Sequence, residues 1–228
     1  MISVIVCTYN QQATIGRALD SILTQRCNCL FEIIIGDDAS TDGTTTICIE
    51  YAKKHSDTIR LFTNKQNKGL IDNYYDCLLE CRGEFIAECA GDDFWTDPLK
   101  LQKEFDIMQG NSNVTMVHTD WCWYDENTGK TIPSSSHPFT SPITRGKDML
   151  KAIITQDNMR VFHLCTAMYR NEVFRKAYNK EEQLFRNKAY GCEDMQIAFT
   201  MADNGDIAYL PDITLNYRSE ERRVGKEC

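Results

Sequence analysis

The chain has 228 residues, 42% of them hydrophobic and 25% charged, which suits one α/β domain, or one domain with a modest appendage, and a sizeable core. Its formal net charge of -8 excludes a general nucleic-acid binder, which needs a basic face. No apolar run approaches the ~20 residues of a membrane span, and Met1-Ile2-Ser3-Val4-Ile5-Val6-Cys7 lacks the basic start of a signal peptide.

The elements read as alternating strands and helices. Residues 2–7 form a compact β-rich run. Ile15, Ala18, Leu19, Ile22 and Leu23 then fall on one face of a helix. A strand at 31–35 precedes a helix at 44–54, a third strand lies at 59–63, and a helix is expected over 69–81. The fourth strand covers 85–90. Asp97 and Pro98 are expected to open the next helix as N-cap and first residue. Beyond residue 110 the pattern loosens. A strand at 114–119, a hairpin at 121–130 turning at Asn127-Thr128-Gly129, and a mobile loop at 131–142 are expected. Helices follow at 145–155, at 171–180 and from near Glu193. Extended segments at 207–210 and 213–217 end the folded part. Residues 219–228 are mostly charged and read as a vector-derived tail. The chain holds 11 cysteines. Cys7, Cys48, Cys77, Cys89 and Cys165 sit at apolar positions and behave as small hydrophobes. With no metal-spaced set, a reduced cytoplasmic protein is the simplest reading.

Strands alternating with helices imply a mostly parallel sheet, whose ligands bind beyond the carboxyl ends of the strands. Two adjacent carboxylates, Asp92-Asp93, follow the apolar run Phe85-Ile86-Ala87, and Asp37-Asp38 follow Ile33-Ile34-Ile35. Adjacent acids repel, so such an end calls for a hard cation, Mg²⁺ or Mn²⁺, with open positions for a phosphate. Taken alone, the turn at 37–42 and the acids Glu193-Asp194 are better explained by turn and helix-start preferences, and the turn at 67–69 at least as well.

Three segments in order carry a resemblance: Ser3-Val4-Ile5-Val6-Cys7-Thr8-Tyr9-Asn10, then Ile34-Ile35-Gly36-Asp37-Asp38-Ala39-Ser40-Thr41-Asp42-Gly43-Thr44, then Gly91-Asp92-Asp93. With Glu193-Asp194 they resemble glycosyltransferase family 2. The resemblance implies the nucleotide-diphospho-sugar transferase (GT-A) fold. It would comprise a nucleotide-sugar-binding half at 1–110, an acceptor-binding and base-bearing half at 111–218 with a smaller antiparallel portion, and the tail.

The same resemblance implies a function. An inverting transferase would move a sugar from a nucleotide-diphospho-sugar, uridine-linked, to a hydroxyl of a saccharide or lipid-linked acceptor. Tyr9, flanked by Thr8 and Asn10, would lie on the base, Asp38 would accept its N–H, and Asn67 and Gly69 would approach the nucleotide. Asp92 would meet the ribose or a metal-bound water, Asp93 would hold Mg²⁺ or Mn²⁺, and Asp194 would be the general base. Work at the cytoplasmic face of a membrane, by peripheral association, is part of that expectation. Two rivals stand beside it: a nucleotidyltransferase, whose Gly-rich basic loop Thr8 to Thr14 does not supply, and a nucleotide-sugar-binding domain without catalysis. His118, Asp120, Trp121 and Trp123 are equally acceptor groove or core. Arg170 matches a basic family position or is a structural ion pair, and His137 and His163 receive no role. Tyr217-Arg218 lacks the histidine with which the family's aromatic-Arg-x-His element approaches the metal.

Overall fold

The computed structural model describes residues 1–134, 139–155 and 163–219, with only the backbone described at Ser219. The expected tail, His137 and part of the expected 131–142 loop lie outside the described residues. The strands are β1 (Ile2–Thr8), β2 (Phe31–Asp37), β3 (Ile59–Thr63), β4 (Phe85–Glu88), β5 (Phe94–Trp95), β6 (Val114–Asp125), β7 (Thr131–Pro133), β8 (Ile143–Arg145), β9 (Ala167–Arg170) and β10 (Asp206–Ser219). The helices are α1 (Ile15–Leu23), α2 (Thr44–Lys54), α3 (Leu70–Glu80), α4 (Lys100–Gly110), α5 (Gly146–Thr155), α6 (Asn171–Phe185) and α7 (Asp194–Asn204).

One sheet takes the order β3-β2-β1-β4-β9-β6-β10-β5. β1, β2, β3 and β4 pair in parallel, as do β6 and β10. β9 runs antiparallel between β4 and β6, and β5 runs antiparallel to β10. The strand residues alternate between two cores. Val4, Val6, Ile33 and Ile35 pack with α1 and α4 on one face, while Ile5, Ile34 and Ile86 pack with α3, α6 and α7 on the other. Burial on both faces is why these strands read as continuous apolar runs.

The first half follows the expected periodicity closely. Other boundaries move by one or two residues, and the expected helix opening at Asp97-Pro98 is not formed: α4 starts at Lys100, because Asp97 accepts the Leu99 N–H (2.8 Å) and closes a turn containing Pro98. A buried i,i+4 pair lies on the core side of this helix, with Lys100 Nζ at 2.7 and 2.8 Å from the two Glu104 carboxylate oxygens.

The second half differs more. The 114–119 strand and the first arm of the hairpin are one strand, β6, and the hairpin closes on β7 through Cys122↔Pro133 and Tyr124↔Thr131. The two terminal segments are likewise one strand, β10, with register shifts between Leu210 and Ile213 and between Ile213 and Leu215. Strands β5, β8 and β9 are too short to show a period. Arg170 is structural. Its guanidinium donates to the carbonyls of Val114 (2.8 Å), Met108 (2.7 Å) and Asn111 (3.0 Å), tying β9 to the end of α4. Among the described residues no helix is long and apolar enough to cross a membrane.

Candidate active site

A cleft of ≈ 890 Å³ opens at the carboxyl ends of β1, β2 and β4. Thr8, Tyr9, Asp38, Asn67, Gly69, Asp92, Asp93 and Asp194 all line it. Of the expected site residues only Asn10 stands apart. In the left-handed region at φ 53°, Asn10 accepts the Thr41 N–H (2.7 Å) and donates its own N–H to Ser40 Oγ (2.9 Å). It therefore fastens the loop after β1 to the loop after β2.

At one end of the cleft the loops are held by acids that each accept several hydrogen bonds. Asp37 is fully buried and accepts from Ser40 Oγ and Thr45 Oγ1, both at 2.5 Å. Asp38, 3% exposed, accepts from Asn64 Nδ2 (2.8 Å) and the backbone N–H groups of Lys68 and Gly69 (both 2.9 Å). Gly69 takes φ 87°, a left-handed conformation suited to glycine, and this lets its N–H turn back onto Asp38 before α3 begins. Tyr9 projects beside this ledge at 46% exposure. The Lys68 side chain pairs with Asp76 (2.8 Å).

The middle of the cleft is built differently. Gly91 turns the chain so tightly that a Cβ there would sit 2.8 Å from Thr8 Oγ1, and Asp92-Asp93 follow. Asp92 remains partly exposed, with the Arg218 guanidinium 3.5 Å away. Asp93 is 1% exposed; its Oδ1 accepts the Arg218 N–H (2.9 Å), and its Oδ2 is buried with no hydrogen-bond partner. Burial, then the neighbouring Asp92 charge, pushes the Asp93 carboxyl up to about 8. Ligand atoms of Asp93, His163 and Cys165 lie within 4.8 Å of one another. His163 is set by the Cys165 N–H, which donates to its Nδ1 (3.2 Å), and by Tyr217, whose ring centroid is 4.5 Å away. An orphaned, buried carboxylate oxygen beside an imidazole fits a divalent cation bonded at ~2.1 Å.

The far end carries the acids around α7. Asp194 sits in the first turn of α7, where the helix dipole favours its charged form. Glu193 precedes it, 9% exposed, and Glu88 faces both from the end of β4, 5% exposed. One oxygen of each lies within 4.8 Å of the others. Burial, then the Asp194 charge, raises Glu193 to about 8. Burial, then Glu193 and Asp194, raises Glu88 well above the usual range.

Sequence reasoning missed Glu88 and His163. The acid inside an apolar strand, Ile86-Ala87-Glu88-Cys89, was a signal for the first. Nothing local marks His163, which reaches Asp93 only through strand order. His118, Asp120, Trp121 and Trp123 do not line the cleft. Trp121 is 3% exposed in the core, Trp123 packs edge-on against Tyr217 at 5.2 Å, and Asp120 accepts from Tyr209 Oη (2.8 Å).

The glycosyl transferase family 2 model matches residues 3–177. The putative glycosyltransferase EpsE of Bacillus subtilis is 34% identical over 158 residues, covering 66% of this chain and 56% of that protein. An uncharacterized protein of Mycobacterium tuberculosis is 41% identical over 114 residues, half of this chain and 33% of that protein. The chain thus spans a third to about half of the length of these curated relatives. TarS of Staphylococcus aureus, solved with UDP-GlcNAc, superposes with TM-score 0.71 at 22% identity over 96% of this chain and 59% of that one. The fold is the expected mixed α/β, mostly parallel GT-A architecture.

Proposed function

The chain belongs to glycosyl transferase family 2, and on that premise we propose that it transfers a sugar from a nucleoside-diphosphate sugar, uridine-linked, to a hydroxyl of a saccharide or lipid-linked acceptor, with inversion. One observation carries this reading: an exposed aromatic ring, a buried carboxylate with an unpartnered oxygen, and a carboxylate at a helix N-terminus line one cleft in that order. UDP-GlcNAc bound to TarS supports a uridine-linked donor.

Tyr9 stacks on the base, and Asp38 accepts its N–H. Three donors already use Asp38, and a carboxylate has about four acceptor positions, so one is left for the ligand. Asn67 and Gly69 border the nucleotide, Thr8 and Asn10 hold the first loop in place, and Asp92 faces the ribose. Asp93, with His163 beside it, would hold Mg²⁺ or Mn²⁺. When bound, the cation neutralises the diphosphate and eases its departure. Asp194 accepts the proton of the acceptor hydroxyl as its oxygen bonds to the anomeric carbon, and the bond from that carbon to the diphosphate breaks. A single displacement inverts the anomeric centre. The reaction is placed at the cytoplasmic face of a membrane, reached by peripheral association.

The deciding experiment assays a panel of nucleotide sugars with the wild type and Asp194→Asn. Turnover is expected to fall by about 10²–10⁴-fold while UDP binding is kept. Near-normal transfer by the variant would overturn the base assignment.

A further inference from the structure

The acids behind Asp194 have an unusual arrangement. Glu88 arrives on β4 and Glu193 on the residue before α7, and both bury an Oε2 that has no hydrogen-bond partner. Their oxygens and one of Asp194 lie within 4.8 Å of each other. Among the described residues, the groups shown to act on Glu88 and Glu193 bring little positive charge. Cys7 comes from β1, and Tyr74 from α3 shares a hydrogen bond with Tyr169 of β9 through their hydroxyls (2.8 Å) and also hydrogen-bonds Glu88, which favours the charged form of that acid less than burial disfavours it. Tyr75 lies behind these, and Lys100, the cation acting on Glu88, is bound by both oxygens of Glu104. Three ionised carboxylates this close, in a site that must also admit a diphosphate, would repel one another and the donor.

We propose that Glu88 and Glu193 are positioning residues that remain neutral acids, so that the cluster carries one negative charge and that charge resides on Asp194. The inference rests on Asp194 as the base. A neutral carboxyl has an O–H to donate, and an oxygen of each acid lies within 4.8 Å of one of Asp194, a separation that such a donor spans directly or through one water. Burial and the Asp194 charge favour the protonated form of both groups. As pH rises through the titration of Glu193, a second charge appears beside the base and turnover falls.

The test is the pH dependence of kcat for the wild type, Glu193→Gln, Glu193→Ala, Glu88→Gln and Asp194→Asn, with UDP binding measured by calorimetry and folding by circular dichroism. The wild type is expected to lose about tenfold in kcat between pH 7 and 9. An amide imitates the neutral acid, so Glu193→Gln keeps most of the neutral turnover and its alkaline limb moves up by about one pH unit or more. Glu193→Ala loses about tenfold or more in kcat with UDP affinity kept. Glu88→Gln also keeps most of the neutral turnover but, because Glu193 still titrates, keeps the wild-type alkaline limb; its turnover tests the neutral-acid reading if Glu193→Gln does not fold. An alkaline limb unmoved in Glu193→Gln, or Gln variants as inactive as Glu193→Ala, overturns the proposal. Failure of the base reading shows separately, as near-normal transfer by Asp194→Asn.

Discussion

The two ends of the cleft treat their buried acids in opposite ways. On the ledge, Asp37 accepts from hydroxyls of its own loop and the start of α2, and Asp38 from an Asn64 amide and two backbone N–H groups of the segment after β3. On the floor, Asp93, Glu88 and Glu193 are as deeply buried, yet each keeps an oxygen with no hydrogen-bond partner. Acids bound by several donors hold a loop in one shape. Acids with an orphaned oxygen leave a position that, on the readings proposed above, takes a cation at Asp93 and protons at Glu88 and Glu193. The difference lies in the backbone around them. The ledge acids sit in turns whose N–H groups point inward, whereas Glu88 is on a strand whose N–H groups are committed to the sheet.

The largest expected effect tests the floor. Asp93 and Glu193 are both raised to about 8. Below their unfolded values, near 4, both states are protonated and the stability is fully present. Between those values and about 8 the native state retains protons that the unfolded state has lost, so stability falls, by on the order of 1 kcal/mol per pH unit for each group. Denaturant melts without divalent cation should therefore show declining stability from pH 5 to pH 8. Mn²⁺ with UDP should reverse part of the decline, and Asp93→Asn should remove both the Asp93 share and the cation response. A flat profile would break the contrast.

The ledge should respond to mutation. Asp38→Ala leaves three buried or half-buried donors without their acceptor. It should cost about 3 kcal/mol in denaturant melts and weaken UDP binding measured by calorimetry. An unchanged melt would mean that water replaces the carboxylate freely. The smallest effect concerns Ala39, held at φ 60°, where a side chain is disfavoured. Ala39→Gly should relieve this and add about 1 kcal/mol, or about 2–4 °C in Tm, without altering nucleotide affinity.

Much of the fold was legible because both faces of β1, β2 and β4 are covered. Burial on two sides demands unbroken apolar runs, and Ile33-Ile34-Ile35 can hardly be read otherwise. The second half was harder. β9 is four residues long, and β10 passes two register shifts, so neither shows a sustained period. Trp121 and Trp123 illustrate the same limit: alternation placed them on a strand, but which face met the cleft depended on the strand order.

By itself the sequence determined the strand-helix alternation and the acids at the strand ends, hence the place of the ledge, of Asp92-Asp93 and of Asp194. These are local properties, since a turn after a buried strand needs particular residue types at particular offsets. The tertiary structure alone decided that β9 inserts antiparallel between β4 and β6, bringing His163 to Asp93 across 70 positions of chain, and that Glu88 meets Glu193. Both meetings depend on the order of strands in the sheet and on how α7 packs upon it. No spacing between residues in the chain records that order.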